Sequence, residues 1–146
     1  MPLELRYLCP LLQIFDMPTS LAFYRDLLGF RIVDAAPPVD RVARDAHDWV
    51  WLQHGELNLM LNTAYDPDVE RPPMADAVRV AAHDDTALYF GVRDLDAAYA
   101  HLSASGIAVA APRVASYGMR QLNFKDPDGF AICLQWPAST GEASDG

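Results

Sequence analysis

The stretch "FKDPDGFAICLQW" (residues 124–136) reads as the end of one strand, a tight turn and a second strand. Pro127 presets φ for a turn position, Asp126 and Asp128 bond back to the backbone, and Gly129 takes a positive φ. After the turn, Ala131, Cys133 and Gln135 alternate with Ile132, Leu134 and Trp136. Period-two alternation makes one face of that strand greasy and leaves a thiol and an amide on the other. Whether that second face lines a site is the question the rest of the chain has to answer.

Working outward, two segments read as helices. "DMPTSLAFYRDLLGF" (16–30) has a polar start, Pro18 at an early position, and Leu21, Tyr24, Leu27 and Leu28 on one stripe, with Gly29 as the closing residue. "DLDAAYAHLSASGI" (94–107) repeats the plan, with Asp94 as cap, Leu95, Ala98, Tyr99 and Leu102 as stripe, and Gly106 as stop. A strand-like run precedes each helix, "CPLLQIF" and "TALYFGV". Three follow each: "FRIVDA", "DWVWLQ" and "ELNLMLN" after the first, "IAVAAP", "GMRQLNF" and "FAICLQW" after the second. The capping aspartates lie 78 positions apart and the closing glycines 77. This is an internal repeat of β-α-β-β-β. Residues 1–62 form the first module and 87–136 the second. Residues 63–86 form a linker or arm with a short helix around "ADAVRVA", and 137–146 a small, polar, disordered tail.

Bulk composition narrows the function. At 146 residues and 51% hydrophobic, the chain can bury one good core or two small related ones. No apolar run reaches the roughly 18 residues that span a bilayer, and the N-terminus lacks the features of a signal peptide. Two cysteines without a signal read as reduced cytoplasmic thiols. A net charge of −9 argues against nucleic acid and against anionic membranes, neither of which an acidic chain neutralises.

The paired modules, with "SLAFYRDLLGF" in the first and "YGMRQLNFKDPDGFAICLQW" closing the second, resemble the vicinal oxygen chelate superfamily. Its members include glyoxalase I, extradiol dioxygenases, fosfomycin-resistance enzymes and bleomycin-resistance proteins. The resemblance covers residues 5–136. It implies an α+β fold in which two β-α-β-β-β modules form a curled mixed sheet around a cavity, with helices outside and ligand-binding residues inside. It says little about activity, because one such scaffold hosts many functions.

Strand parity nominates the inner face. It holds Cys9, Leu11 and Gln13 on the first strand and Glu56, Asn58, Met60 and Asn62 on the strand closing module one. In module two it holds Ala87, Tyr89 and Gly91, then Met119, Gln121 and Asn123, then Ala131, Cys133 and Gln135. In "WVWLQ", Trp49 and Trp51 should look inward, while Arg120 should point outward. Metal-using relatives carry one ligand on each of four strands, and the resemblance maps those positions onto Cys9, Asn58, Ala87 and Cys133. Alanine has no donor atom, asparagine is a weak ligand, and two thiols alone fall short of the three or four donors a site needs. A displaced set from His54, Glu56 and His83 is the other combination, and it draws on loop histidines. No catalytic residue is nominated, and no metal or other cofactor is expected.

The remaining inner-face residues describe a binding site. Gln13, Asn58, Gln121 and Gln135 supply neutral donors and acceptors, and Trp49, Trp51, Met60, Tyr89 and Tyr117 supply aromatic and thioether surface. The expectation is a bacterial, cytoplasmic homodimer of the bleomycin-resistance type that encloses a small organic molecule without a metal, with drug sequestration as its role. The rival is a metal-dependent lyase, isomerase or dioxygenase of the same superfamily with an atypical ligand set. A scaffold without a ligand is the third reading.

Overall fold

The computed structural model describes residues 2–65 and 71–139. The contacts divide the chain between Ala75 and Asp76, so the helical part of the expected linker belongs to the second unit. Most of the expected tail, residues 140–146, lies outside the described residues.

The first unit holds a four-stranded sheet. Its strands are β1 (Leu11–Ile14), β2 (Arg31–Ala36), β3 (Trp49–His54) and β4 (Leu57–Thr63), in the order β1-β4-β3-β2. β1 runs parallel to β4, and the other pairings are antiparallel. Between β1 and β2 the chain forms α1 (Met17–Leu21), which widens into a π-helical stretch over Ala22–Leu27. Asp16 caps α1 by accepting the Thr19 backbone N–H at 3.1 Å. The apolar spacing predicts an ordinary α-helix throughout, and the wider turn is a departure: Leu28 N donates to Phe23 O at 3.0 Å, five residues back. The wider turn narrows the angle between consecutive side chains. Phe23 and Tyr24 are accordingly both buried, with ring centroids 4.9 Å apart.

Strand alternation builds the core as the pattern predicts. Leu12, Ile14, Val50, Leu52, Leu59 and Leu61 are buried with Met17 and Leu21 of α1. Fully burying each aliphatic side chain is worth about 1.5–3 kcal/mol, so this shared face is what holds helix to sheet.

The second unit repeats the order. It contains α2 (Ala77–Ala82), a 3₁₀ turn at His83–Asp85, β5 (Ala87–Gly91), α3 (Leu95–Ala104), β6 (Arg113–Val114), β7 (Met119–Lys125) and β8 (Ala131–Pro137). Its sheet order is β5-β8-β7-β6, with β5 parallel to β8. Asp94 caps α3 by accepting the Ala97 N–H at 2.9 Å. In the turn between β7 and β8, Asp126 Oδ1 accepts the N–H groups of Asp128 and Phe130, both at 2.9 Å, and Gly129 has φ +90°. The 3₁₀ turn closes over this hairpin. His83 Nδ1 donates to Asp128 O at 2.6 Å, and its ring stacks on Phe130 at 3.9 Å.

One expected strand is nearly absent. "IAVAAP" (107–112) should be the edge strand of the second module, yet only Arg113 and Val114 join the ladder. The Pro112 ring holds φ near −65°, away from the roughly −140° of an antiparallel strand, and its alanine neighbours have little preference for a pleated, half-buried surface.

Candidate functional site

Each sheet has a helix-covered face and a second face, and the nominated residues lie on the second. In the first unit the register puts Leu11, Met60 and Trp51 in one row, Gln13, Asn62 and Trp49 in another, and Asn58 beside Gln53 in a third. These side chains are half-buried or exposed, whereas Leu12, Ile14, Val50, Leu52, Leu59 and Leu61, which alternate with them, are buried. The amides are mutually engaged. Asn58 Oδ1 accepts from Trp51 Nε1 at 3.1 Å and from Gln53 Nε2 at 2.9 Å, and Asn62 Nδ2 donates to Gln13 Oε1 at 3.3 Å. The amides thus orient the Trp51 indole, one apolar surface framed by neutral hydrogen-bonding groups. Tyr7, from the segment before β1, stacks on that indole at 6.1 Å and 29°.

In the second unit one row is Tyr89, Cys133 and Asn123, and another is Gly91, Gln135, Gln121 and Arg113. Gln121 Nε2 donates to both Gln135 Oε1 at 2.9 Å and the Tyr117 hydroxyl at 2.7 Å. Both amide hydrogens of Gln121 are then committed. Gln121 Oε1, Gln135 Nε2 and the Tyr117 hydroxyl proton have capacity left over. Arg120 points to the other face, where its Nη2 bonds Asp96 Oδ1 of α3 at 2.7 Å.

The four positions onto which the resemblance maps metal ligands do not share one register. Cys9 precedes β1 rather than lying in it, because Pro10 follows and the ladder starts at Leu11. Ala87 pairs with Ala131, while Cys133 pairs with Tyr89 and Asn123. Burial pushes both the Cys9 and the Cys133 thiol up from the ordinary value, which disfavours the thiolate that a metal or an electrophile needs. Each thiol donates to a neighbouring carbonyl, Cys9 to Pro10 O at 3.8 Å and Cys133 to Leu134 O at 3.9 Å. Among the described residues no group of three or more His, Cys, Asp or Glu side chains is placed to hold a metal ion. His54 is packed edge-on against Phe30, and His83 is committed to the hairpin.

Residues not singled out from the sequence also occupy these faces. Arg31 and Gln53 extend the Asn58 row, with Arg31 Nη2 donating to Gln53 Oε1 at 3.2 Å. Arg113 stands opposite Gln121. Parity from β3 was enough to find Gln53. Arg113 was hidden because its strand begins six residues later than the hydrophobic pattern predicts.

Two repeated βαβββ sheets, each with an amide-and-aromatic face opposite its helix, define the class to which the comparisons point. The sequence profile of the glyoxalase/bleomycin resistance protein/dioxygenase superfamily matches residues 7–134, and the chain belongs to that superfamily. It is 33% identical over 120 residues to the uncharacterized protein YaeR of Escherichia coli (strain K12), covering 82% of this chain and 86% of that one. Among solved structures, SMU.1112c is similar at 26% identity and TM-score 0.64, covering 91% of this chain and all of that one. TnmS3, an antibiotic binding protein from Streptomyces sp. CB03234, shares the fold at 22% identity and TM-score 0.63, covering 94% of this chain and 100% of that one. Among the described residues no helix is long and apolar enough to cross a membrane.

Proposed function

We propose that this protein binds a small organic molecule on the helix-free faces of its sheets and does so without a resident metal. The observation that carries the reading is the Trp51–Asn58–Gln53 cluster, an indole fixed by neutral amides on a half-buried face with Met60 and Leu11 alongside. Such a surface suits an apolar or aromatic ligand oriented by a few hydrogen bonds. It offers no pair of acids or bases for proton transfer. The ligand positions of metal-using relatives are held here by Cys9, Asn58, Ala87 and Cys133, a set with one residue lacking any donor and two thiols whose ionisation burial disfavours. The likeness to an antibiotic binding protein supports sequestration of such a compound as the role. The reading includes a homodimer in a bacterial cytoplasm, where both thiols stay reduced.

The test uses intrinsic fluorescence in a Trp136→Phe background, so that the signal comes from Trp49 and Trp51. A true ligand from a library of aromatic and aliphatic organic molecules should shift or quench that signal saturably. Asn58→Leu should weaken its binding. A flat response to the whole library would contradict the proposal.

A further inference from the structure

The hydrogen-bond phase of β7 shows which of its backbone groups are spent. Asp126 N donates to Phe130 O and Ala138 N donates to Gly118 O, one at each end of the β7–β8 ladder. With the register between them, the even-numbered residues of β7 bond to β8, and the odd-numbered residues turn their N–H and C=O groups to the other side. Met119 and Gln121 meet β6 there: Ala115 N donates to Met119 O at 2.7 Å, and Arg113 pairs with Gln121. The β6 ladder ends at that pair. Asn123 and Lys125 therefore present their backbone N–H and C=O groups beyond the end of β6.

Gly106, Ile107 and Ala108, on the way from α3 to β6, form the far wall of a groove of about 540 Å³. Asn123, Phe124, Lys125, Ala131 and Ile132 line its near wall. Phe124 and Ile132 are buried and belong to the helix-covered side, while Asn123 and Lys125 belong to the other. The groove is thus apolar on one side and polar on the other, with a strand edge along it that no strand among the described residues fills.

We propose that this groove accepts an extended peptide backbone as an added strand of the second sheet, with acidic residues on the side of Lys125 and an apolar residue opposite Phe124. An open strand edge pairs with another backbone whatever its sequence, and the flanking side chains then set the preference. Period-two alternation puts the peptide residues opposite Asn123 and Lys125 on one side and the residue between them on the other. The charge preference follows from Lys125, a cation beside the edge in a chain of net charge −9. Lys125 pairs with Asp84, but both side chains are more than half exposed, at 51% and 68%, so the pair is weakly held and open to exchange. This site is separate from the indole face of the first unit and stands or falls without it.

The experiment is ¹⁵N NMR on the full chain with the capped pentapeptide Val-Glu-Val-Glu-Val as probe. Saturable shifts centred on the Asn123 and Lys125 amides, with slowed hydrogen exchange there, are expected. The same peptide N-methylated at its glutamates should not bind, and Val-Lys-Val-Lys-Val should bind about tenfold more weakly or worse. Lys125→Pro removes an outward N–H while leaving the β8 ladder intact, and should abolish binding. Lys125→Glu, which keeps the N–H, should weaken it. Shifts confined to other surfaces, or equal binding of the N-methylated probe, would overturn the proposal. So would Asn123 and Lys125 amides already protected without peptide. Protection that grows with protein concentration would assign the edge to a second copy, and protection at every concentration would assign it to the chain itself.

Discussion

The two modules share a topology and differ at their edges. In the first, β2 pairs along β3 from Arg31–Gln53 to Ala36–Trp49, with one irregularity between Ile32 and Asp34. In the second, β6 contributes two residues and leaves half of β7 without a β6 partner. The sequences explain the contrast. "RIVDAA" brings adjacent β-branched residues and keeps its proline until after the strand, whereas "IAVAAP" spends three positions on alanine and ends on a residue whose ring fixes φ outside the extended range. The same β-α-β-β-β plan therefore pairs β3 along its length and leaves β7 paired over only part of its own. Fold similarity alone would not have shown it.

The hairpins sharpen the comparison most strongly. Gly55, in the turn between β3 and β4, has φ +58° and no atom within 4 Å of where a Cβ would stand. At Gly129, φ is +90° and a Cβ would meet Val80 O at 2.7 Å, a backbone atom of α2. Gly129→Ala should therefore destabilise the protein by about 3 kcal/mol, since the strain of roughly 1–3 kcal/mol for such a φ is joined by displacement of α2. Gly55→Ala should cost only about 1 kcal/mol. Urea unfolding of both variants measures this, and equal losses would remove the claim that α2 is seated on the second hairpin.

Next in size is the amide cluster of the first module. Asn58→Leu leaves Trp51 Nε1 and Gln53 Nε2 without their common acceptor on a half-buried face. A loss of about 1 kcal/mol is expected, at the low end for unmade hydrogen bonds because water reaches both donors. The corresponding Gln135→Leu in the second module removes one acceptor and should cost less. A larger effect at Gln135 would reverse the ranking of the two faces.

Most of this architecture was legible in the sequence. Alternation assigned the faces of β1, β3, β4, β5, β7 and β8, and the aspartate caps and glycine stops located both helices. Where the reading failed, local pattern competed with something non-local. The widened turn at Ala22–Leu27 answers to the packing of Phe23 and Tyr24 and leaves no trace in the apolar spacing. The loss of β6 could have been suspected from Pro112, yet how far the ladder retreats depends on where Gly106–Ala108 run. The strand-like run "CPLLQIF" puts Cys9 in β1 by alternation, while the ladder starts only after Pro10, at Leu11. The site was legible as a set of faces. Its hydrogen-bond directions, which tie Asn58 to Trp51 and Gln121 to Tyr117, depend on cross-strand register.

Two smaller predictions follow from the edges and the charges. Pro112→Val frees φ at that position from its ring-fixed value and should slow hydrogen exchange at Asn123 if β6 lengthens; unchanged exchange would mean that proline is not what holds the ladder back. In the first module, the hydrogen bonds from Arg25 at 3.0 and 2.9 Å hold the Asp45 carboxyl below the usual carboxylate range. A depressed carboxyl stabilises the fold above its unfolded pKa, and that contribution fades as the pH falls through its folded value. Because Asp45 is about a third exposed, Asp45→Asn should cost only about 0.5 kcal/mol at neutral pH. The difference from the parent should close as the pH drops below about 4. A gap that persists in acid would assign the effect to something other than the charge. The analogous Asp96–Arg120 pair is carried on the fully exposed Asp96 and should give the smallest signal of all.

The measurement that tests the account most directly is elemental analysis of untagged protein, before and after exchange with manganese, iron, nickel and zinc. Cys9, Asn58, Ala87 and Cys133 should retain no stoichiometric metal, and the tryptophan response to a ligand should be the same with and without chelator. One equivalent of metal surviving dialysis, with ligand binding lost on its removal, would contradict the metal-free reading and make the chain a metal-dependent member of its superfamily.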